Sequence, residues 1–204
     1  MENKDKIILD LCGGTGAWSD PYKQAGYDVR NITLPEFDVR IYIPPDNVYG
    51  ILAAPDCTEF SLAKNGWAHH PTRGKRDFVK GMEEVNACLR IIFQCSPIFW
   101  VLENPVGLLS RWLGKTKYTF HPWFFGEPWS KFTALWGNFN PPQRKYYNFD
   151  DLPSKIPIIN GKIYTYIRKG THIPSISEFT SGNEKAIRAI TPSGFAQAFF
   201  EVNQ

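Results

Sequence analysis

The sequence predicts an α/β protein with a mainly parallel sheet flanked by helices, and three observations carry that expectation. Short apolar runs at 6–11, 48–54 and 98–102 each read as a buried strand, and each is followed by a polar turn. A glycine-rich turn, Cys12-Gly13-Gly14-Thr15-Gly16, separates the first run from a short helix and another strand, so the chain opens as a strand-loop-helix-strand unit. A long amphipathic stretch at 77–95 joins two of the apolar runs, and parallel neighbours need a crossover of that length. With 204 residues and 43% hydrophobic composition, residues 1–204 suit one Rossmann-like domain with its own core.

The elements follow in order. The strand at 6–11 precedes the glycine turn, and a helix covers 20–25 with Pro21 in its first turn, where a missing N–H costs nothing. Gly26 ends that helix, and 27–34 gives the second strand. Asp38-Val39-Arg40 leads to a turn at Pro44-Pro45-Asp46-Asn47 and the strand at 48–54. A loop is expected at 58–75. In the next helix, Phe78, Met82, Val85, Leu89 and Ile92 recur at helical spacing, and its role reads as structural alone. Beyond Glu103 the chain is rich in proline, glycine and aromatics until 131–136, which reads as a further strand. Asn160-Gly161 marks a hairpin turn, and 192–202 a closing helix that packs the chain end. Trp112, Trp123, Phe124, Phe125, Trp129 and Trp136 crowd one stretch, consistent with packing or with base stacking.

A formal charge of +3 does not by itself demand a polyanionic partner. Cys12, Cys57, Cys88 and Cys95 form no C-x-x-C pair, which argues against a zinc site or a disulfide framework, and no metal is expected. The opening Met1-Glu2-Asn3-Lys4-Asp5-Lys6 is charged, and no apolar run reaches membrane-spanning length. A cytoplasmic protein without a membrane partner is expected.

The chemistry concentrates at two turns. Pro55-Asp56-Cys57-Thr58-Glu59-Phe60-Ser61 follows the strand at 48–54, which puts a thiol at a strand carboxyl end, where open α/β sheets build their sites. A thiolate there can attack an electron-poor ring carbon. Glu103-Asn104-Pro105 follows the next run and delivers a carboxylate to the same edge of a parallel sheet. Gly13, Gly14 and Gly16 let the backbone approach a ligand closely, although the spacing is not G-x-G-x-x-G and a dinucleotide is disfavoured. Asp10, just before the turn, favours a cationic or hydroxyl-bearing ligand over a pyrophosphate.

The strings LDLCGGTGAWS from Leu9, ILAAPDCTEFS from Ile51, VLENPVG from Val101 and RAITPSGFAQAFF from Arg188, in that order, resemble the DNA cytosine carbon-5 methyltransferases, above all the short versions of phages and prophages. The resemblance implies a class I methyltransferase fold, S-adenosyl-L-methionine as cofactor, and a bacterial or phage-infected cell as setting. It implies Cys57 as the nucleophile that adds to cytosine carbon-6, with Glu103 at ring nitrogen-3 and Asn104 orienting the neighbouring loop. Around the cofactor it points to Asp10, Gly13, Gly14, Thr15, Gly16, Asp38, Val39 and Pro55, with Glu36 in place of the acidic ribose ligand that usually ends the second strand. Lys131 stands where the family has a base-gripping arginine, and Gln143-Arg144-Lys145 is the other candidate for that part.

The loop at 58–75 is expected to close behind a flipped nucleotide, with Ser61, Lys64, Arg73, Lys75 and Arg76 toward DNA. Those charges, and the pair His69-His70, are equally expected of a solvated loop. A short insertion at 106–176 stands where longer members have a full target-recognition domain, so specificity is modest or comes from a separate partner. Position 56 departs from many family members, which have a second proline there. A carboxylate turned toward the thiol, about 6 Å away at an effective dielectric near 20, would oppose the thiolate by roughly 3 kcal/mol, whereas one turned outward would not. Two other readings stay open at this stage: a catalytically silent cofactor- or DNA-binding descendant, and an enzyme that methylates RNA or a free pyrimidine nucleotide.

Overall fold

Six strands form one sheet in the order β2-β1-β3-β4-β6-β5. In the computed structural model, which describes residues 2–67, 69, 75–165, 170–180 and 185–204, the strands are β1 Ile7–Leu11, β2 Asp28–Ile32, β3 Val48–Ala53, β4 Phe99–Pro105, β5 Tyr118–Phe120 and β6 Thr133–Asn138. The pairs β1–β2, β1–β3 and β3–β4 are parallel, and β6 runs antiparallel to both β4 and β5. The expected mainly parallel α/β sheet is therefore present, with β6 as its reversed strand.

Successive residues of each buried strand point to opposite faces. Leu9, Leu11, Ile51 and Leu102 pack on one side against Val85, Cys88, Ile91 and Ile92 of helix α2, Phe78–Cys95. Ile8, Leu52, Val101 and Leu135 pack on the other side, where Trp18 meets Phe195 and Phe199 of the closing helix, Ser193–Val202, and Tyr22 of α1 (Asp20–Gln24) meets Phe200 of that closing helix. Asp77 caps α2 by accepting the Lys80 amide, and Ser96 ends it in a left-handed conformation. A two-stranded hairpin, Ile158–Ile159 with Lys162–Ile163, turns at Asn160-Gly161 as expected, and a third apolar cluster around Trp129, Ile159, Tyr164 and Ile176 supports it.

Three details differ from the sequence reading. The expected loop at 58–75 contains a 3-10 helix, Leu62–Trp67, and Ser61 forms a β-bridge with Gly107. Strand β4 extends to Pro105 instead of stopping at Leu102, because β6 pairs along it: Glu103 opposes Leu135, Asn104 opposes Ala134 and Pro105 opposes Thr133. Finally, β5 and β6 of the segment 106–176 belong to the central sheet. Among the described residues, no helix is long and apolar enough to cross a membrane.

From β1 the chain crosses to β2 on one side and then to β3 on the other, so β1 and β3 flank a topological switch point. Ligand crevices of open α/β sheets lie at the carboxyl ends of such strands. Here those ends lead into the glycine turn and the Cys57 loop.

Candidate active site

Parallel pairing of β3 with β4 sets Ala53 beside Leu102, so the Cys57 loop leaves β3 at the edge of the sheet where Glu103 stands near the end of the adjacent strand β4. Such strands lie about 4.8 Å apart. Asn104 is fully buried, and its Nδ2 donates to the Pro55 carbonyl oxygen at 3.1 Å, tying β4 to the start of the loop. Cys57 is partly exposed, and its carbonyl receives the amides of Phe60 and Ser61 in a tight turn. The Phe60 carbonyl in turn accepts the Leu108 amide at 2.9 Å. A Cβ at Gly107 would fall 2.5 Å from that same carbonyl oxygen, so only glycine lets the two backbones approach so closely.

Lys131 Nζ lies 3.8 Å from Glu103 Oε1, too far for a hydrogen bond but close enough for an ion pair. That carboxylate oxygen is buried and accepts no hydrogen bond among the described residues. The site therefore holds a shielded acceptor with a cation at its side. Arg144 places its guanidinium over the Phe124 ring at 3.7 Å from the centroid.

The cations of the loop have mostly internal partners. Lys64 Nζ donates to Glu59 Oε1 at 2.6 Å and to Oε2, with both side chains about 85% covered (14% and 15% exposed). Burial pushes the Glu59 carboxyl up, but the Lys64 ammonium and the Asp77 amide outweigh it and hold the group below its ordinary range. Arg76 donates to the carbonyl oxygens of Glu59 and Ser61 and, at 2.7 Å, to Asn65 Oδ1. Lys64 and Arg76, expected toward DNA, brace the loop through these contacts. Lys75 is exposed, and Arg73 and His70 lie outside the described residues. Asp56 is exposed, its carboxylate receives the Thr58 amide, and its own amide donates to Glu84 Oε2 at 2.8 Å.

At the glycine turn, Asp10 is fully buried and accepts Ser19 Oγ–H at 2.6 Å on Oδ2, while Oδ1 has no partner among the described residues. Burial pushes its carboxyl up to about 6 against the opposing pull of Ser19. A Cβ at Gly13 would lie 2.3 Å from Asp10 Cγ, so the turn rests directly on the carboxyl group. Gly14 and Thr15 are exposed, and Gly16 is partly so.

A cleft of about 250 Å³ opens at the ends of β1, β2 and β3, lined by Cys12, Ile32, Leu34, Asp38, Val39 and Glu84 among others. Ala54 and Asp56 complete the side toward the Cys57 loop. Asp38 and Val39, expected beside the cofactor, both line this cleft. Arg40 grips the Asp38 carboxylate through two nitrogens and holds it down to about 2. Glu36 is exposed and does not line the cleft. Asp10, Pro55 and the glycines of the turn do not line that cavity.

Glu84 is the site residue that sequence reading missed. It stands one turn before the buried Cys88, on the inward side of a helix read as structural alone. An acid at the margin of a buried stripe was the available signal, since charged side chains rarely turn inward without a partner.

These features define an α/β protein with a mostly parallel six-stranded sheet and a thiol-bearing loop beside the crevice at its switch point. No family model matches the chain, and no curated protein matches it. Among 67 matching chains of solved structures is one from E. coli described as a candidate DNA modification methyltransferase encoded within a prophage. It is 15% identical at a TM-score of 0.45, over 65% of this chain and 46% of that one. The chain thus spans less than half the length of that neighbour, and the functional reading below rests on this chain's own residues.

Proposed function

We propose that this chain is a class I methyltransferase that transfers a methyl group from S-adenosyl-L-methionine to carbon-5 of cytosine in DNA. The observation that carries the reading is the single edge shared by the Cys57 loop and Glu103, locked by the Asn104-to-Pro55 hydrogen bond. A nucleophile and a shielded carboxylate on adjacent strands suit a pyrimidine held between them. The motif strings from Leu9, Ile51 and Val101 stand at the carboxyl ends that such chemistry would use.

The cofactor fits the residues present. The partnerless Oδ1 of Asp10, with Gly13 resting on the carboxyl group, suits a cationic amino group. The apolar walls of Ile32, Leu34 and Val39 suit a flat ring system. When bound, S-adenosyl-L-methionine supplies an electrophilic methyl group on a sulfonium.

Cytosine carbon-5 is too weak a nucleophile for that methyl group on its own. In the proposed sequence the Cys57 thiolate adds to carbon-6, and Glu103 holds or protonates nitrogen-3, making the ring enamine-like at carbon-5. After methyl transfer, which would leave S-adenosyl-L-homocysteine, a solvent base takes the carbon-5 proton, and the freed electron pair expels Cys57 as thiolate and restores the aromatic ring. Lys131 keeps the Glu103 side of the base in place. Asn104 is a positioning residue that fixes the loop carrying the thiol.

A base inside a duplex must be flipped out to reach the thiol, so DNA is the proposed partner. With β5 and β6 in the central sheet, little of 106–176 is left to read a sequence. Specificity then comes from a few contacts or from a separate partner, within a cytoplasm that keeps Cys57 reduced.

The test is DNA carrying 5-fluorocytosine with labelled S-adenosyl-L-methionine, because the fluorine blocks the final elimination. A covalent adduct that forms with the wild type and is absent in Cys57→Ala is expected. An adduct formed equally by Cys57→Ala would overturn the nucleophile assignment, and cofactor binding without any adduct would indicate a silent descendant.

A further inference from the structure

We infer that Glu84 is the carboxylate that receives the ribose hydroxyls of the adenosyl ligand through Oε1 while its Oε2 holds the amide beside the nucleophile. The inference rests on the adenosyl cofactor proposed above and adds a residue that the family resemblance does not point to. Glu84 lines the cleft together with Ile32 at the end of β2. Its Oε2 accepts the Asp56 amide at 2.8 Å and lies 3.8 Å from Cys12 Sγ. Its Oε1 makes no hydrogen bond among the described residues.

The other carboxylates near the cleft are already engaged or lie elsewhere. Arg40 grips Asp38, and Asp56 receives the Thr58 amide. Glu36, the acid that sequence position favoured, is exposed and outside the lining. Asp10 belongs to the opposite face of β1, because Leu9 and Leu11 pack toward α2, whereas Asp10 meets Ser19 at the start of α1. An amino group at Asp10 and a diol at Glu84 would lie on the two sides of β1. A nucleoside matches what remains: a flat apolar face against Ile32, Leu34, Phe37 and Val39, and a pair of hydroxyl donors for one carboxylate oxygen.

This arrangement links two events. Glu84 sits on an 18-residue helix anchored by buried residues, so its position is firmly held. A ligand that takes up Oε1 also steadies the oxygen that orients the Asp56 amide, one residue from Cys57. Cofactor binding would then order the nucleophile loop without touching it.

The experiment measures S-adenosyl-L-homocysteine and its 2′,3′-dideoxyribose analogue by calorimetry against wild type, Glu84→Gln and Glu84→Ala. Glutamine keeps an acceptor for the Asp56 amide, so this variant retains the loop contact. Removing both hydroxyls is expected to weaken wild-type binding at least about tenfold, the scale of hydrogen bonds to a charged group. The same removal should cost Glu84→Ala less than about threefold, with Glu84→Gln between the two. Equal sensitivity to the hydroxyls in all three proteins overturns the inference while leaving the proposed function standing. Loss of hydroxyl sensitivity in Glu36→Gln, with none in Glu84→Ala, would likewise overturn it by returning the role to Glu36. Failure of the folded wild type to bind S-adenosyl-L-homocysteine would remove the proposed function and this inference together.

Discussion

Asn104 Nδ2 donates to the Pro55 carbonyl oxygen at 3.1 Å inside the protein, so a side chain of one strand fixes the backbone that leads to Cys57 on the next. Replacing Asn104 with alanine leaves that carbonyl without its donor in a place closed to water. The expected cost is about 1–3 kcal/mol of stability by urea denaturation. Adduct formation on 5-fluorocytosine DNA should slow by more than tenfold while S-adenosyl-L-homocysteine binding changes little. Equal losses in both measurements would mean that the contact supports the fold as a whole and not the loop.

Lys75 and Lys64 should separate in salt titrations. Each phosphate contact contributes about 0.9 to the slope of log K against log salt on duplex DNA. Lys75 is exposed, and Lys75→Ala is expected to lower the slope by about one. Lys64 is paired with Glu59, and Lys64→Ala should lower the melting temperature without altering the slope. A reduced slope in Lys64→Ala would show that the ion pair opens on DNA.

The buried carboxyl of Asp10 makes stability depend on pH in a defined direction. Burial raises it to about 6 in the folded protein, against about 3.9 for an ordinary aspartate. The folded state therefore holds a proton that the unfolded chain releases, and this contribution is complete below about pH 4. It amounts to something on the order of 3 kcal/mol and is lost as the pH rises through about 6. Asp10→Asn should lack this decline and exceed the wild type at pH 7 in urea denaturation. Parallel pH profiles for the two proteins would contradict the assignment.

Gly107→Ala forces a Cβ to within 2.5 Å of the Phe60 carbonyl oxygen, and neither atom is at the end of a flexible side chain. The backbone must move, straining the Leu108-to-Phe60 hydrogen bond. A loss of about 2 kcal/mol or more is expected by denaturation, with the Cys57 turn the first segment to gain amide exchange. An unchanged exchange pattern would show that the strain is absorbed elsewhere.

The strands, the long helix and the hairpin turn were legible because each is written in local periodicity and turn chemistry. Val85 and Ile92 recur at helical spacing, and Asn160-Gly161 adopts the two positive φ angles that a tight hairpin needs. The extension of β4 was not legible, because residues 103–105 join the strand only when β6 folds back beside them. The same limit applied to the loop cations. Nothing near Lys64 in a linear reading distinguishes an ammonium facing solvent from one closed on Glu59, and the three acceptors of Arg76 are contributed by a turn more than ten residues earlier.

Sequence alone determined which chemical groups this chain brings to the carboxyl ends of its strands: a thiol at 57, a carboxyl group at 103 and a glycine turn after Asp10. Order along the chain was enough, because a parallel sheet delivers every strand end to one edge. Tertiary structure decided which charges remain available there. Lys64, Arg76 and Asp38 are taken by partners, whereas Glu84 arrives from a helix to line the cleft, with one oxygen that makes no hydrogen bond among the described residues. The reason is physical: a charged group's role depends on the partner that desolvation leaves beside it, and that partner is fixed only when distant segments meet.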